Sequence, residues 1–415
     1  MNIILFEDSD CTGLSPISLA RPAYAITCAT YRLIDWIEQL GGPVWGVVRP
    51  HLQALQETDY LPGAVQVSEV SGKECLLINA RVVPTLKNFQ ALQQLARTSQ
   101  ACAVRSGGVL AAARFSAAVS RQLLTDQLMG ATFTESELLN ELSEASVELD
   151  LFHYPHDIVR WNVSAFSDNL SYRLQQGSYQ EMAAGVFSAG GTKLGDHVVW
   201  DTTAGPIVLE EDVEIGPHVF LKGPLYISKG AKVSEFTSLK NAVFLGQRTK
   251  VGGEVESTIV ESYSNKQHHG YLGHSYLGSW VNLGAGTSNS NLKNTYGEVS
   301  IQYGDSKIQS GMQFLGCVIG DYSKTAINTS IFTGKVIGVC STLYGFVTSN
   351  VSSFTNDARS LGDATELSLR TMATCQERIF SRRGIEQRSC DIQLLQDMYD
   401  LTAQERDLDD RPLSF

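Results

Sequence analysis

The sequence predicts an α/β domain, then a parallel β-helix of hexapeptide repeats, then helices after the coil. Three observations predict it. Aliphatic residues recur every six positions from Leu209 through Ile215, Leu221, Ile227, Val233, Leu239, Leu245 and Val251. The N-terminal region instead alternates apolar runs, loops and helical spacing, and residues 355 to 415 are richer in charge with apolar residues at helical spacing.

In chain order, the apolar run Ile3 to Phe6 predicts a first strand. A loop follows, and then LSPISLARPAYAITCATYRLIDWIEQL, whose second half has helical spacing through Leu33, Trp36 and Leu40. CLLINARVVP, residues 75 to 84, predicts a second strand. Strand, loop and helix in alternation predict an α/β domain over residues 1–185 with a mostly parallel sheet.

In the coil, residues 186–354, each face is one short strand whose aliphatic residue points to the axis. Positions two residues earlier, such as Val213, Val219, Leu225 and Ala231, are mostly small or β-branched. The register returns at Leu277 and Leu283, then at Ile319, Thr325, Ile331, Ile337 and Leu343. Residues near 257 to 270 and 289 to 313 interrupt it, which predicts loops projecting from one edge, where function usually sits. Residues 355–415 are expected to form a helical cap and tail. Leu367, Leu369, Met372 and Ile379, then Ile392, Leu395 and Met398, give helical spacing, and the acidic stretch Asp391 to Asp410 reads as a solvated tail. A helix over the last turn would cover its open end.

Composition bounds the function. The 415 residues are 43% hydrophobic and 18% charged, as in an ordinary globular protein, and the net charge of −12 leaves no basic stripe for nucleic acid. A phosphorylated small molecule needs only a few local cations. No apolar run reaches about 18 residues and MNIILFEDSD lacks the features of a secretory signal, so the expectation is a cytoplasmic protein with no membrane partner. The eight cysteines include no CxxC pair, which points to reduced, mostly buried thiols.

The stretch HHGYLGHSYLGSWVNLGAGTSNSNLKN, residues 268 to 294, carries the chemistry. With VIGDYSKTAINTSIFTGKVIG, Val318 to Gly338, it resembles the acetyltransferase domain of the bifunctional GlmU family, which joins glucosamine-1-phosphate acetyltransferase to N-acetylglucosamine-1-phosphate uridylyltransferase. It is most similar to the divergent branch of GlmU-like sugar nucleotidyltransferases. The resemblance implies a left-handed coil, a homotrimer with the acyl site between neighbouring subunits, acetyl-CoA as cosubstrate, and a sugar phosphate or nucleotide sugar as partner. It also implies His268 as the base for the sugar amine, Tyr271 in the sugar site, Asn282 and Asn291 near sugar and acyl donor, and Glu254 as the carboxylate that meets the sugar. A family lysine expected just before Ile319 is replaced by Gly316.

The residue types suit that chemistry. An amine attacks a thioester only after losing its proton, imidazole titrates near neutral pH, and asparagines offer donors and an acceptor to a sugar without adding charge. Alternatives stand beside this reading. The asparagines also suit turn or ladder positions, His269 competes with His268 as the base, and His274 could be a surface residue. The three histidines together could also hold zinc.

The N-terminal half resembles the nucleotidyltransferase domain of the same family, whose first strand leads to a Gly-rich phosphate loop and a basic residue, and whose later strand ends in a magnesium-binding Gly-Asp. Here the loop EDSDCTGLSPISLARP holds only Gly13, and Asn79-Ala80-Arg81 stands where the acid is expected. Arg21 is the candidate phosphate ligand, with Arg32 as a helper; the alternative is pairing of Arg21 with Glu7 or Asp8. Magnesium is possible in this domain, with Asn162, Asp157 or Asp8 as substitute ligands. The resulting reading is a transferase of nucleotide-sugar biosynthesis that moves an acyl group from acetyl-CoA to an aminosugar phosphate. The alternatives are a nucleotidyltransferase whose coil serves only to trimerise, and a non-catalytic nucleotide-sugar-binding protein.

Overall fold

The computed structural model describes residues 1–61, 72–117, 137–304 and 306–406. They form two compact units, Met1–Tyr154 with Ser389–Leu394, and Pro155–Arg388 with Leu395–Phe415.

In the first unit, β1 (Asn2–Phe6), β2 (Val44–Val47), β3 (Cys75–Asn79), β4 (Cys102–Ser106), β5 (Val109–Phe115) and β6 (Ser143–Glu144) form one sheet in the order β2-β1-β3-β5-β4-β6. Both expected strands are present. β1 pairs parallel with β2 and β3, but β5 runs antiparallel to β3 and β4, so the sheet is mixed rather than mostly parallel. The tight connection from β4 to β5 through Gly107 and Gly108, both at positive φ, makes a hairpin where a helical crossover would have kept the direction. β1 and β3 are buried along their whole length, as the continuous apolar runs require.

In the second unit the hexapeptide register becomes three ladders of short parallel strands. On the first face Leu209, Ile227, Leu245, Val260, Leu277, Ile319 and Ile337 stack in register. The second face stacks Ile215, Val233, Val251 and Lys266, and the third stacks Leu221, Leu239, Val255 and Leu272. Apart from Lys266 these residues form one apolar core, and burying each aliphatic side chain contributes about 1.5–3 kcal/mol. Gly216 and Gly246 follow inward residues because the next turn's backbone passes where a Cβ would sit, 2.7 Å from Glu235 N and 2.5 Å from Ser262 N.

The coil starts before the clear repeat, at Val186–Ser188, and Gln180–Ala183 pairs antiparallel with that strand to cover its edge. The expected interruption near 257 to 270 is not a projecting loop. Ile259–Val260 and Asn265–Lys266 are coil strands, and the register slips because the corner between Val251 and Glu254 holds only Gly252 and Gly253. The interruption at 289–313 does project, as the antiparallel hairpin Ser300–Tyr303 with Ser306–Gln309.

The helix Pro155–Gln176, which the sequence places within residues 1–185, packs with the coil: Asn162 Nδ2 donates to Ala242 O at 2.9 Å and the Arg173 guanidinium lies 4.6 Å from the Tyr226 ring centre. Only part of the C-terminal region caps the coil. Tyr399 and Arg406 stack on each other, at 4.2 Å, and cover Phe354 of the last turn. The helix Leu369–Ser381 instead runs along the second face, with Phe380 4.5 Å from Trp280. Residues 407–415, which include the Asp410 end of the expected acidic tail, lie outside the described residues. The eight cysteines form no disulfide, and six are buried. Among the described residues, no helix is long and apolar enough to cross a membrane.

Candidate active site

Alternate residues of a strand share a face, so Glu254 and Glu256 both point outward from Glu254–Glu256, beside Tyr271 on the next strand. Tyr271 O–H donates to Glu256 Oε2 at 3.4 Å, and Asn291 Nδ2 donates to the Tyr271 hydroxyl at 2.7 Å. The same amide group lies 3.0 Å from His274 Nδ1. Glu254 is held by Lys240, 2.6 Å away, and Asn241 donates to Glu256 at 2.9 Å. Burial, then the charges of Glu256 and Glu254, raise the Tyr271 pKa, so the phenol stays protonated and can donate. Half-buried hydroxyl, amide, carboxylate and imidazole groups thus share one outward patch on the third face.

His274 belongs to this patch and is not a plain surface residue. It is half-buried, stacks on Phe314 at 5.4 Å, and burial lowers its pKa, which favours neutral imidazole. Gly316, which replaces the family lysine, is forced by the local path. A Cβ there would run into Gly273 O, Asn289 Nδ2 and Ser275 Oγ, and Gly316 N donates to His274 O at 2.8 Å.

His268, within the corner formed by residues 267–270, and Asn282, beside Asn265 on the second face, face away from this patch. They line a cavity of about 550 Å³ between the second face and the helix Leu369–Ser381, together with Lys250, Lys324, Arg382 and Arg383. None of its lining residues is a carboxylate. Burial, with repulsion from Arg383 and Lys232, lowers the Lys250 pKa, and Arg383 is lowered by burial and by Arg382 and Arg248. Unbalanced, mutually repelling cations make this cavity a place for an anion. Asn282 accepts a long contact from Asn265 at 3.4 Å, and Arg383 donates to Asn265 Oδ1 at 2.7 Å. His268 and His269 are exposed.

The structure therefore splits the expected residues into two groups: Glu254, Tyr271 and Asn291 on the third face, and His268 in the corner with Asn282 on the second. Glu256 and Lys240, which the sequence did not single out, and His274 join the first group. Periodicity could have raised Glu256, two residues from Glu254, but not chosen between them. The three histidines do not converge, and among the described residues no group of three His, Cys, Asp or Glu could hold a metal ion.

In the first unit, ligands of an α/β sheet are expected at the carboxyl ends of the parallel strands. There Arg81, with a fully buried side chain, donates to Asp8 Oδ1 at 2.8 Å and Oδ2 at 2.6 Å, to Asp10 at 3.1 Å and to Phe152 O at 2.8 Å. Asn79 donates to Asp8 at 2.7 Å. Burial opposes the ionised Asp8, but the hydrogen bond and charge of Arg81 outweigh it and lower the carboxyl pKa. Glu7 binds Arg49 Nε at 2.9 Å and Ala23 N at 2.8 Å. These residues do not fit a magnesium ion, because the Asp8 and Glu7 carboxylates are engaged by guanidinium groups and no acid follows β3. Of the other expected ligands, Asn162 donates to Ala242 O at 2.9 Å and Asp157 pairs with Arg160 at 2.5 Å. Arg21 is buried. Arg32 pairs with Asp35 at 2.6 Å.

Residues 3–176 match the family described as sugar nucleotidyl transferase. The chain is 34% identical over 142 residues to a bifunctional sugar-1-phosphate nucleotidylyltransferase/acetyltransferase of Sulfurisphaera tokodaii, covering 34% of this chain and 35% of that protein. It is 32% identical over 148 residues to the bifunctional protein GlmU of Methanococcus aeolicus, covering 35% of each. Over these segments the chain is similar to GlmU-type proteins. It spans about a third of the length of these relatives. A solved UDP-N-acetylglucosamine acyltransferase of Francisella novicida overlaps 53% of this chain and 77% of that one at 14% identity and a TM-score of 0.28. The sugar nucleotidyl transferase match runs through the N-terminal segment of the first unit and the helix Pro155–Gln176.

Proposed function

We propose that the coil transfers an acetyl group from acetyl-CoA to the amine of an aminosugar phosphate, in nucleotide-sugar biosynthesis. The observation that carries this reading is the pairing of two unlike sites across one corner: a hydrogen-bonding patch at Tyr271, Glu256 and Asn291 that includes carboxylates, and a carboxylate-free cationic cavity holding His268 and Asn282. The patch suits sugar hydroxyls, and the cations suit the phosphates of the acyl donor. His268 takes the proton from the attacking amine, the nitrogen bonds to the thioester carbon, and the thiol leaves with a proton. Because the two sites face opposite ways from the corner, three copies meeting along this edge would place the patch of one against the cavity of the next. The homotrimer and a cytoplasmic location belong to this proposal.

A second reading is favoured by one contact. His274, in reach of Asn291 and kept neutral by burial, is the base in place of His268. For the first unit we propose a binding role toward a nucleotide sugar, without metal-dependent nucleotidyl transfer, since the carboxylates at the strand ends are engaged by arginines.

The test incubates the purified protein with glucosamine 1-phosphate and acetyl-CoA and follows thiol release, in parallel with N-acetylglucosamine 1-phosphate, UTP and magnesium, following pyrophosphate. Thiol without pyrophosphate is expected. The His268→Ala variant should lose about 100-fold or more in rate, while His274→Gln loses less than about ten-fold; the reverse order transfers the role to His274. No thiol release with any aminosugar phosphate sinks the acyl-transfer reading.

A further inference from the structure

Lys266 occupies an inward position that Ile215, Val233, Val251 and Leu343 fill with aliphatic side chains on other turns, whereas Thr325 and Asp357 are polar occupants of the same ladder nearer its end. It stands in register with Val251 and below Val233, inside the coil, and is 2% exposed. Its ammonium forms no ion pair among the described residues; Nζ donates to Gly252 O and to His268 O, each at 2.9 Å. Burial lowers its pKa to about 8. Placing a lysine in an apolar core without a counter-charge is costly, and valine or leucine would satisfy the register. Local rules are broken in this way mainly where function compensates.

Geometry shows what the ammonium does. The corner from Val233 to Ser238 contains four residues, whereas the corner from Val251 to Glu254 contains only Gly252 and Gly253. The Lys266 side chain reaches into that shortened corner and spans from the Gly252 carbonyl to the carbonyl of His268 in its own turn. One side chain thereby ties the exposed corner at residues 267–270 to the turn before it.

We propose that Lys266 is a positioning residue for His268, holding the 267–270 corner so that the imidazole keeps its place between the cationic cavity and the sugar patch. The proposal rests on the acyl-transfer reading for its benefit to catalysis, but its structural content can be measured without turnover. Rigid placement of a base is worth one or more orders of magnitude in rate, and little in ground-state binding.

The experiment compares the wild-type protein with Lys266→Met, which preserves length and removes both donors. Modification by diethylpyrocarbonate is followed at His268 and at the exposed His197 by mass spectrometry, with thiol release measured on the same samples. The expected result is about a three-fold or greater change in the rate at His268 with His197 unchanged, and kcat lower by about ten-fold with KM within about two-fold. Equal rates at His268 in the two proteins overturn the proposal, as does a parallel rise at His197, which means general loosening of the coil. If the wild-type protein releases no thiol, the acyl-transfer reading fails, and the His268 to His197 comparison still decides whether Lys266 holds the corner.

Discussion

At the scale of single residues, the site is set by which polar groups are taken out of water. His274 gains no carboxylate hydrogen bond, so burial dominates and keeps the imidazole neutral in the folded protein, with Glu256 opposing more weakly. The unfolded chain then binds a proton that the folded chain does not, over the range between the lowered folded pKa and the usual histidine value of about 6.5. Stability from this group is full above that value and falls as the pH drops through it. His156, also lowered by burial, acts in the same direction. His274→Gln should therefore flatten, without abolishing, the fall in Tm between about pH 6.5 and 5. A slope as steep as in the wild-type protein would mean that His274 titrates alike in both states. Of the candidate residues, Tyr271 and Asn291 were legible from the motif, and the structure brings them into contact. Glu256 was not, because a period-two pattern places both glutamates of GGEVES outward and only the position of the next strand decides which one meets the phenol.

Elements add constraints that no single residue carries. The six-residue register identified the coil because inward positions are equivalent on every regular turn. It failed between Val251 and Leu277, where a shortened corner changes the step while the ladders continue. Gly316 shows the same dependence on neighbours, since its Cβ space is filled by the preceding turn and by Asn289. Gly316→Lys, which restores the family residue, should cost about 3 kcal/mol or more by overpacking in urea denaturation. A variant as stable as the parent would show that the coil opens there. In the first unit, Arg81→Met would leave Asp8 partly buried beside Asn79 without its cation. A loss of about 3–5 kcal/mol is expected, because removing one partner of a buried pair costs more than the pair contributes.

For the whole molecule, the two units present different chemistry. The coil retains a patch and a cavity with outward chemistry, whereas the strand ends of the first unit are closed by Arg49 and Arg81. Manganese should therefore broaden no resonance of the first unit at stoichiometric concentrations, and magnesium with UTP should yield no pyrophosphate. Specific broadening at Asp8 with pyrophosphate release would establish a working metal site there. The sequence by itself determined the N-terminal α/β fold and the coil and singled out candidate site residues, because repeat period and motif spacing are local properties of the chain. Tertiary structure alone decided that the sheet is mixed, that one C-terminal helix lines a cationic cavity while Tyr399 and Arg406 cover the last turn, and that Asp8 is held by an arginine. It also decided that His268 and Tyr271 face opposite ways from a corner. Each of these depends on which distant residue fills a given space, and spacing along the chain does not encode that.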